Sequence, residues 1–206
     1  MNDFDVTKLA WDKGDGLLPA IVQHWRTGSV LMLGYMNPQA FEQTRQSGKV
    51  TFFSRSKQRL WTKGESSGNY LTLKSLHADC DHDSILVLAD PQGPTCHLGT
   101  ASCFDDGCAP PLAFLGMLDD LVARRERERP KGSYTTRLFE QGMRRIAQKV
   151  GEEGVETALA AVGEDDVSLL GESADLIYHL LILLRARKLD LAAVVETLRS
   201  RHVAAK

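Results

Sequence analysis

The chain has 206 residues, 43% of them hydrophobic and 25% charged, which suits a globular protein with one large or two small domains. Its formal net charge of −2 gives a nucleic-acid partner no electrostatic support. We expect a soluble, cytoplasmic protein with no membrane partner. The acidic N-terminus lacks the order of a secretory signal, and no apolar run approaches the length of about 20 residues that crosses a bilayer.

The first half of the chain, residues 1–104, has the pattern of strands and turns. Short apolar or β-branched runs, separated by Gly, Asn, Asp and Pro, occur at 18–25, 29–36, 49–55, 70–78 and 84–90. One short helix is predicted among them, because Asn37 can cap it, Pro38 suits its first turn and Gly48 can end it. The spacing and the hairpin-like turns favour a mainly antiparallel sheet.

The second half of the chain is predicted to be helical. Acidic residues open two of the helices and basic residues close several, as the helix dipole prefers. Four helices are expected, at Leu112–Arg129, Thr135–Val162, Asp166–Arg187 and Asp190–His202. The segment DDGCAPP at 105–111 has the Pro and Gly content of a linker. The sequence therefore predicts an α+β protein, with an N-terminal mainly antiparallel β domain at 1–104 and an all-α helical-bundle domain at 112–206.

Four cysteines lie close together between positions 80 and 108. In a chain of this class they indicate a metal site rather than a disulfide scaffold, with unremarkable buried thiols as the alternative. Cys80, Cys96 and Cys103 with an open fourth position would suit a catalytic zinc, which lowers the pKa of its bound water. A structural zinc closed by Cys108 stays open as the other interpretation, although the spacing forms no tight pairs.

Three aspartates alternate with other residues in the segment HADCDHDS at 77–84. On a strand, Asp79, Asp81 and Asp83 would point to one face and Cys80 to the other, because side chains alternate. Three carboxylates on one face repel one another unless water or a cation lies between them. This pattern therefore predicts an aspartate cluster with a counter-ion or water among its members.

These segments resemble a known enzyme family. DCDHDS, GPTCHLGTASCF at 93–104 and SRSKQRLWTKGESSGNY at 54–70 are closely similar to phosphoribosyl-AMP cyclohydrolase, over residues 10–104. The resemblance implies hydrolytic opening of the N1–C6 bond of an adenine ring by a homodimer whose zinc ligands come from both chains. It implies two metal sites, zinc at Cys80, Cys96 and Cys103, and magnesium at Asp79, Asp81 and Asp83.

Candidate residues for the substrate of such an enzyme lie in the same region. His97 is the candidate proton carrier, because an unperturbed histidine titrates near neutrality. The segment 49–63 contains five basic residues and no acid, and Arg55 and Lys63 are candidate ligands for substrate phosphates, with charge for solubility alone as the alternative. The loop GESSGN at 64–69 can supply hydroxyl and backbone donors to phosphate. Its candidate donors are Ser66, Ser67 and Asn69.

Two acidic stripes lie on the predicted helices of the second half. The first consists of Glu152, Glu153 and Glu156, and the second of Glu172 and Asp175. Both stripes lie at the edge of an apolar stripe, so their carboxylates are expected to face the interior of the helical bundle. Helical bundles hold divalent cations with such inward carboxylates on facing helices. The alternative is a solvated face with helix-stabilising pairs such as Lys149–Glu153.

The helical half also resembles a known family. Glu-Glu-x-x-Glu followed by Glu-x-x-Asp is similar to the all-α nucleoside-triphosphate pyrophosphohydrolase superfamily, and residues 112–203 resemble its phosphoribosyl-ATP pyrophosphohydrolases. The resemblance implies magnesium at the five carboxylates, pyrophosphate release from phosphoribosyl-ATP, and dimers; Lys149 is a candidate triphosphate ligand. Together the two halves resemble a bifunctional histidine-biosynthesis enzyme that makes phosphoribosyl-AMP in its second half and opens the ring in its first.

Two other functions stay open at the level of sequence. One is a zinc-stabilised binding module with a helical dimerisation tail and no catalysis, which predicts that metal removal unfolds the first half. The other is a house-cleaning nucleotide pyrophosphohydrolase fused to a deaminase-like domain, which substrate profiling would distinguish.

Overall fold

The structure is a computed structural model that describes residues 8–104, 109–163 and 165–204. At positions 203 and 204 it describes the backbone alone. The chain divides into two compact units, Met1–Phe114 and Leu115–Lys206. Most of the expected linker at 105–111, including Cys108, falls in the gap between the first two described ranges.

Within its described residues, the first unit contains strands, one α-helix and a short 3-10 turn at Trp11–Gly14. The helix, α1, spans Pro38–Ser47, and the strands are β1 (Leu18–His24), β2 (Val30–Met36), β3 (Thr51–Ser54), β4 (Arg59–Thr62), β5 (Leu71–Ala78) and β6 (Ile85–Pro91). Four strands form a sheet in the order β2-β1-β6-β5, and β3 pairs with β4 in a separate sheet. All five predicted strand segments are confirmed, whereas β4 was not predicted.

The pairing of the first unit is mainly antiparallel, as predicted, with one parallel pair. Strands β1 and β6 run in the same direction, with Ala20 opposite Ile85. Alternate residues of both strands, among them Val22 and Val87, are buried in the core. Phe41 of α1 packs into the same core. The buried faces of these strands therefore hold the sheet against the helix.

Helix α1 begins and ends where the sequence predicts. The side-chain oxygen of Asn37 accepts a hydrogen bond from the backbone N–H of Ala40 at 2.8 Å, which caps the first turn. Gly48 adopts a left-handed φ of 67°, and its N–H donates to the Thr44 carbonyl at 3.0 Å. Both capping predictions are thus confirmed.

The aspartate segment is a turn and not a strand, so the predicted alternation of faces is wrong. Strand β5 ends at Ala78, and β6 begins at Ile85. Asp79 Oδ1 accepts hydrogen bonds at 3.0 Å from the backbone N–H groups of Asp83 and Ser84. Such side-chain to backbone bonds compete with strand pairing and stabilise turns. They close the connection between the two strands.

The helical half contains five described helices, α2 (Ala113–Glu128), α3 (Tyr134–Gln141), α4 (Met143–Gly163), α5 (Asp166–Ala186) and α6 (Leu191–Ala204). The single helix predicted over Thr135–Val162 is wrong, because the chain breaks at Gly142 with φ 83° and ψ 179°. The other three predicted helices are confirmed. A core of Val122, Leu138, Ile146, Leu181 and Ile182 holds the helices together.

Helix α5 differs from the sequence expectation in its apolar character. By length and composition it is able to cross a membrane, with a mean hydropathy of 1.6 over 18 residues, so the expectation that no apolar run approaches this length is wrong. Apolar core helices of soluble proteins meet the same criterion. Only 17% of that stretch is fully buried within the single chain, and most residues of α5 are partly buried or exposed.

Candidate metal centres

The turn between β5 and β6 brings the three predicted aspartates together. Ligand oxygens of Asp79, Asp81 and Asp83 lie within 4.8 Å of one another. The Lys13 ammonium lies 2.7 Å from Asp81 Oδ2 and 3.5 Å from Asp83 Oδ2. Its hydrogen bond to Asp81 is the main cause that raises the pKa of Lys13 and lowers the pKa of Asp81. The Lys13 ammonium thus lies at the cluster, where its positive charge offsets the repulsion among the three carboxylates.

Two of the predicted zinc ligands lie side by side in the loop that follows β6. The thiols of Cys96 and Cys103 lie close enough that each affects the pKa of the other. Donors around Cys96, led by the backbone N–H of Leu98 and followed by the Thr100 side chain, lower the pKa of its thiol. Burial of the Cys103 thiol, followed by the nearby charge of Cys96, raises the Cys103 pKa. Because zinc binds thiolates, Cys96 is prepared for a metal.

The third predicted zinc ligand lies elsewhere in the chain. Cys80 is exposed on the aspartate turn. Across the part of the chain that the structure describes, no cluster of three potential ligand atoms within 4.8 Å contains Cys80, Cys96 and Cys103. His97 is exposed, with its Nδ1 atom 3.8 Å from Cys96 Sγ. A single chain therefore brings together two of the three cysteines and places His97 beside one of them.

The predicted phosphate ligands occupy different environments in the first unit. The Arg55 guanidinium lies 3.9 Å above the Tyr35 ring and is thus held against an aromatic face. Lys63 is buried, at 9% exposure, and its charge acts on the nearby Cys103 thiol. Lys63 therefore lies beside the cysteine pair, whereas Arg55 lies on the surface of the sheet.

The GESSGN loop contributes exposed hydroxyls and one constrained amide. Ser66 and Ser67 are exposed, and the backbone N–H of Asn69 donates to Ser67 Oγ at 3.3 Å. Gly93, at the start of the cysteine loop, has no side chain, and a Cβ there would clash with the Asn69 amide. This close approach brings the GESSGN loop next to the loop that carries Cys96.

In the helical half, three of the five predicted carboxylates converge. Ligand oxygens of Glu153 and Glu156 on α4 and of Glu172 on α5 lie within 4.8 Å of one another. Glu153 is only 4% exposed. The Lys149 ammonium lies 2.6 Å from Glu153 Oε1. The predicted Lys149–Glu153 pair therefore exists, but it belongs to a buried carboxylate and not to a solvated face.

Glu152 and Asp175 stand apart from this group of three. Glu152 contacts Lys149 at 2.9 Å, Gln148 at 2.7 Å and Arg145 at 3.4 Å. The hydrogen bond that Glu152 accepts from Lys149 is the main cause that lowers the Glu152 pKa. The hydrogen bonds that Lys149 donates to Glu153 and then to Glu152 raise the Lys149 pKa. Asp175 is exposed on α5, one turn after Glu172. Lys149 thus joins two carboxylates, one of which belongs to the converging group.

Comparison with known proteins finds one family for each half of the chain. Residues 32–105 match the family model of phosphoribosyl-AMP cyclohydrolase, and residues 115–202 match that of phosphoribosyl-ATP pyrophosphohydrolase. The histidine biosynthesis bifunctional protein HisIE of Xanthomonas axonopodis pv. citri (strain 306) is 68% identical, over 94% of this chain and 93% of its own length. Proteins of the same name from Xylella fastidiosa (strain Temecula1) and Escherichia coli (strain K12) are 65% and 60% identical, over 98% and 95% of this chain and 96% of their own lengths.

The chain belongs to the bifunctional histidine-biosynthesis family. It is an enzyme with a phosphoribosyl-AMP cyclohydrolase domain and a phosphoribosyl-ATP pyrophosphohydrolase, or diphosphatase, domain. Both resemblances drawn from the sequence are confirmed. The membership decides against a binding module without catalysis, and against a house-cleaning pyrophosphohydrolase fused to a deaminase-like domain.

Some residues at these centres were not among the predicted site residues. Lys13 is 68 positions from Asp81 along the chain, so no local spacing links them. In the helical half, the Tyr134 hydroxyl lies 3.0 Å from Nε2 of the buried His179, and Nδ1 of His179 lies 3.6 Å from Glu153 Oε1. The contact between Tyr134 and His179 spans 45 positions and depends on the packing of α3 against α5.

Proposed function

We propose that the helical domain hydrolyses phosphoribosyl-ATP to phosphoribosyl-AMP and pyrophosphate, and that the N-terminal domain then opens the adenine ring of phosphoribosyl-AMP at N1–C6. The order follows from the chemistry, because the product of the first reaction is the substrate of the second. The observation that carries the proposal is that each unit brings together its own set of side chains of the kinds that bind metals. We place the domains at 1–104 and 112–206, with 105–111 as the linker.

Magnesium is the cation proposed for the helical domain. The converging oxygens of Glu153, Glu156 and Glu172 are hard anionic ligands of the kind that Mg²⁺ prefers, so the site fits this ion. Asp175 and Glu152 are proposed as further members of the site. Bound magnesium would supply charge stabilisation at the phosphates during hydrolysis.

Lys149 has two roles in the proposed reaction. In the described structure its ammonium holds Glu152 and Glu153, at 2.9 Å and 2.6 Å, against their mutual repulsion. As a cation beside the carboxylate group, it is also the proposed ligand of the substrate triphosphate. Since Lys149 is partly buried, its charge is only weakly screened by solvent there.

Zinc is the proposed metal of the cyclohydrolase site, held by Cys80, Cys96 and Cys103. The paired thiols and the lowered pKa of Cys96 fit zinc, which would activate water for attack on the ring. Cys80 would come from the partner chain, because it lies outside the Cys96–Cys103 group of its own chain. His97, exposed beside Cys96, is the proposed proton carrier.

The remaining polar residues of the first unit are proposed to bind the phosphates of phosphoribosyl-AMP and a second cation. Magnesium is proposed at Asp79, Asp81 and Asp83, where the Lys13 ammonium lies in this structure. The proposed phosphate ligands are Arg55, Lys63, Ser66, Ser67 and Asn69.

A cytoplasmic homodimer is the proposed form of the enzyme, with small-molecule substrates as its partners. Large apolar side chains of α4 and α5 are exposed in the single chain, including Leu159 at 62% and Leu170 at 70%. A second chain would bury them and add about 25 cal/mol of stability for each Å² of apolar surface covered. A bilayer is a poor alternative, because Glu172 and Asp175 lie within α5 and carboxylates are costly in lipid.

The experiment that tests the proposal separates the two activities by substitution. Purified protein is supplied with phosphoribosyl-ATP or phosphoribosyl-AMP, and pyrophosphate and ring-opened product are measured with and without a chelator. Glu153→Gln should abolish pyrophosphate release and leave ring opening of supplied phosphoribosyl-AMP intact, because each ligand set lies within its own unit. Glu196→Gln on α6, which removes an exposed carboxylate, is the matched control and should change neither activity.

Two results would contradict this proposal. Ring opening that disappears in a folded Glu153→Gln protein would mean that the two domains share a site. Pyrophosphate release that continues in the chelator would mean that no metal takes part.

A further inference from the structure

The helical site contains a series of polar contacts that runs from Tyr134 through the buried His179 to Glu153. His179, at 4% exposure, lies between Tyr134 of α3 and the Glu153 carboxylate of α4. Its Nδ1 atom lies 2.8 Å from the Asp175 carbonyl oxygen, one turn earlier on α5. Its Nε2 atom lies 3.0 Å from the Tyr134 hydroxyl. Both ring nitrogens therefore have partners, and the ring has one fixed orientation.

The direction of each hydrogen bond follows from the partners. A carbonyl oxygen only accepts, so Nδ1 carries the hydrogen and donates it to Asp175. The neutral ring then has no hydrogen on Nε2, and the Tyr134 hydroxyl must be the donor there. The Asp175 carbonyl thus sets the tautomer of His179, and Tyr134, hydrogen-bonded to Nε2, holds the ring with its Nδ1 edge on the side of Glu153.

Glu153 is held on one of its two oxygens. Lys149 Nζ lies 2.6 Å from Oε1, and His179 Nδ1 lies 3.6 Å from the same atom. The second distance is too long for a hydrogen bond but places the positive end of the N–H dipole beside the carboxylate. Oε2 makes neither of these contacts. The carboxylate is therefore held between the Lys149 ammonium and the His179 ring while it faces Glu156 and Glu172.

We propose that Tyr134 and His179 are positioning residues of the helical metal site: the Tyr134 hydroxyl orients the imidazole of His179, and the imidazole fixes the carboxylate of Glu153 for a divalent cation. This inference rests on the proposed function, because it needs a cation at Glu153, Glu156 and Glu172. Neither residue touches the cation. Partners of metal ligands that act in this way change metal affinity by roughly 10- to 100-fold when they are removed.

Tyr178 provides a matched control. Its hydroxyl lies 2.7 Å from Thr135 Oγ1, so it also joins α5 to α3 through one hydrogen bond. Tyr134→Phe and Tyr178→Phe each remove one hydroxyl and one such bond, and both should lower thermal stability slightly. Only Tyr134→Phe breaks the bond to His179. A purely structural role would therefore affect both variants alike.

The test measures binding of Mn²⁺ to the full-length protein by electron paramagnetic resonance. Sites that disappear in Glu153→Gln are assigned to the helical centre. At these sites we expect Tyr134→Phe to bind Mn²⁺ about tenfold more weakly than the wild type. Tyr178→Phe should bind within about twofold of the wild type, since Tyr178 has no hydrogen bond to His179 in the described structure.

A second variant, at His179, tests the same series of contacts. His179→Asn keeps a donor near the position of Nδ1 but loses the acceptor for Tyr134. It should therefore weaken Mn²⁺ binding about as much as Tyr134→Phe, and the double variant should be no weaker than His179→Asn alone. Additive losses in the double variant would mean that the two residues act independently, and the inference would be wrong.

The remaining outcomes separate the inference from the function on which it rests. Equal Mn²⁺ affinities for folded Tyr134→Phe and Tyr178→Phe would overturn the positioning role and leave the metal site intact. If Glu153→Gln removes no Mn²⁺ site, the proposed metal site fails, and the positioning role fails with it.

Discussion

The pKa values of Cys96 and Cys103 shift in opposite directions although the two thiols lie close together. Hydrogen-bond donors, led by the backbone N–H of Leu98, lower the pKa of Cys96, whereas burial and then the charge of Cys96 raise the pKa of Cys103. At a pH between the two values, more Cys96 than Cys103 is thiolate, and thiolate is the nucleophile. In the zinc-free protein, we expect iodoacetamide to alkylate Cys96 first.

Mass spectrometry of the digested protein after brief labelling at several pH values measures this difference. The rate at Cys96 should rise to its plateau at lower pH than the rate at Cys103. Labelling under denaturing conditions is the control and should remove the difference. Rate profiles that coincide in the folded protein would contradict the prediction.

The identity of the zinc ligands leads to a second prediction. Cys→Ser at positions 80, 96 or 103 should each remove bound zinc and ring opening, because zinc loses a thiolate ligand. Cys108→Ser should retain both, since position 108 lies in the expected linker, outside the cyclohydrolase motif. Zinc content by mass spectrometry and the cyclohydrolase rate measure the effect. Loss of zinc in Cys108→Ser comparable with that in Cys96→Ser would favour a closed, structural four-cysteine site.

Sequence alone identified the carboxylates of both acidic groups but not the arrangement that brings them together. The aspartates converge because the Asp79 side chain closes a turn, not because they share one face of a strand. Lys149 and Glu153 are four residues apart on one helix, so their contact was predictable. The contact of Lys13 with Asp81 was not, because it joins residues 68 positions apart.

At the scale of elements, the break between α3 and α4 depends on Gly142. Its φ of 83° and ψ of 179° lie in a region that residues with a Cβ rarely adopt. We expect Gly142→Ala to lower the free energy of unfolding of the helical domain by about 1–3 kcal/mol. Gly151→Ala is the matched control: Gly151 lies inside α4 with open space around it, so alanine there should stabilise the helix by roughly 0.5–1 kcal/mol.

Thermal or urea unfolding followed by circular dichroism measures both variants. The same chemical change should have opposite signs at the two positions. If Gly142→Ala is as stable as the wild type, the backbone at this junction is not constrained to its positive φ.

Much of the arrangement of elements was predictable, for local reasons. Five strand segments and α1 with both caps follow from runs of apolar residues and from turn residues that lie next to them in sequence. Strand β4 has only four residues, begins with Arg59 and gives no extended apolar run. The parallel pairing of β1 with β6 joins segments about 60 residues apart, which local patterns do not encode. The break at Gly142 lies within a periodic pattern that continues on both sides of it.

At the scale of the whole molecule, the separation of Cys80 from the Cys96–Cys103 pair leads to a prediction about assembly. If the zinc ligands come from two chains, Cys80→Ser and Cys96→Ser homodimers are each inactive in ring opening. A mixed dimer of the two variants has one intact site and one doubly damaged site. Mixing the variants should therefore restore activity, up to about half that of the wild type per mixed dimer.

Subunit exchange is verified with differently tagged chains before activity is measured. A mixture of Cys96→Ser and Cys103→Ser chains is the control, because both damaged ligands belong to the same side of the site and no intact site can form. Confirmed exchange without recovery in the first mixture would mean that each chain contains a complete zinc site.

Both compact units, Met1–Phe114 and Leu115–Lys206, belong to one chain, so the two catalysts occur in equal numbers in every molecule. Two separate proteins would let gene expression set their ratio. Here, under the proposed reaction order, the steady-state concentration of phosphoribosyl-AMP depends on the incoming flux and on the capacity of the N-terminal site. A substitution that slows only that site would enlarge the phosphoribosyl-AMP pool, and overproduction of the same variant would raise supply and demand together.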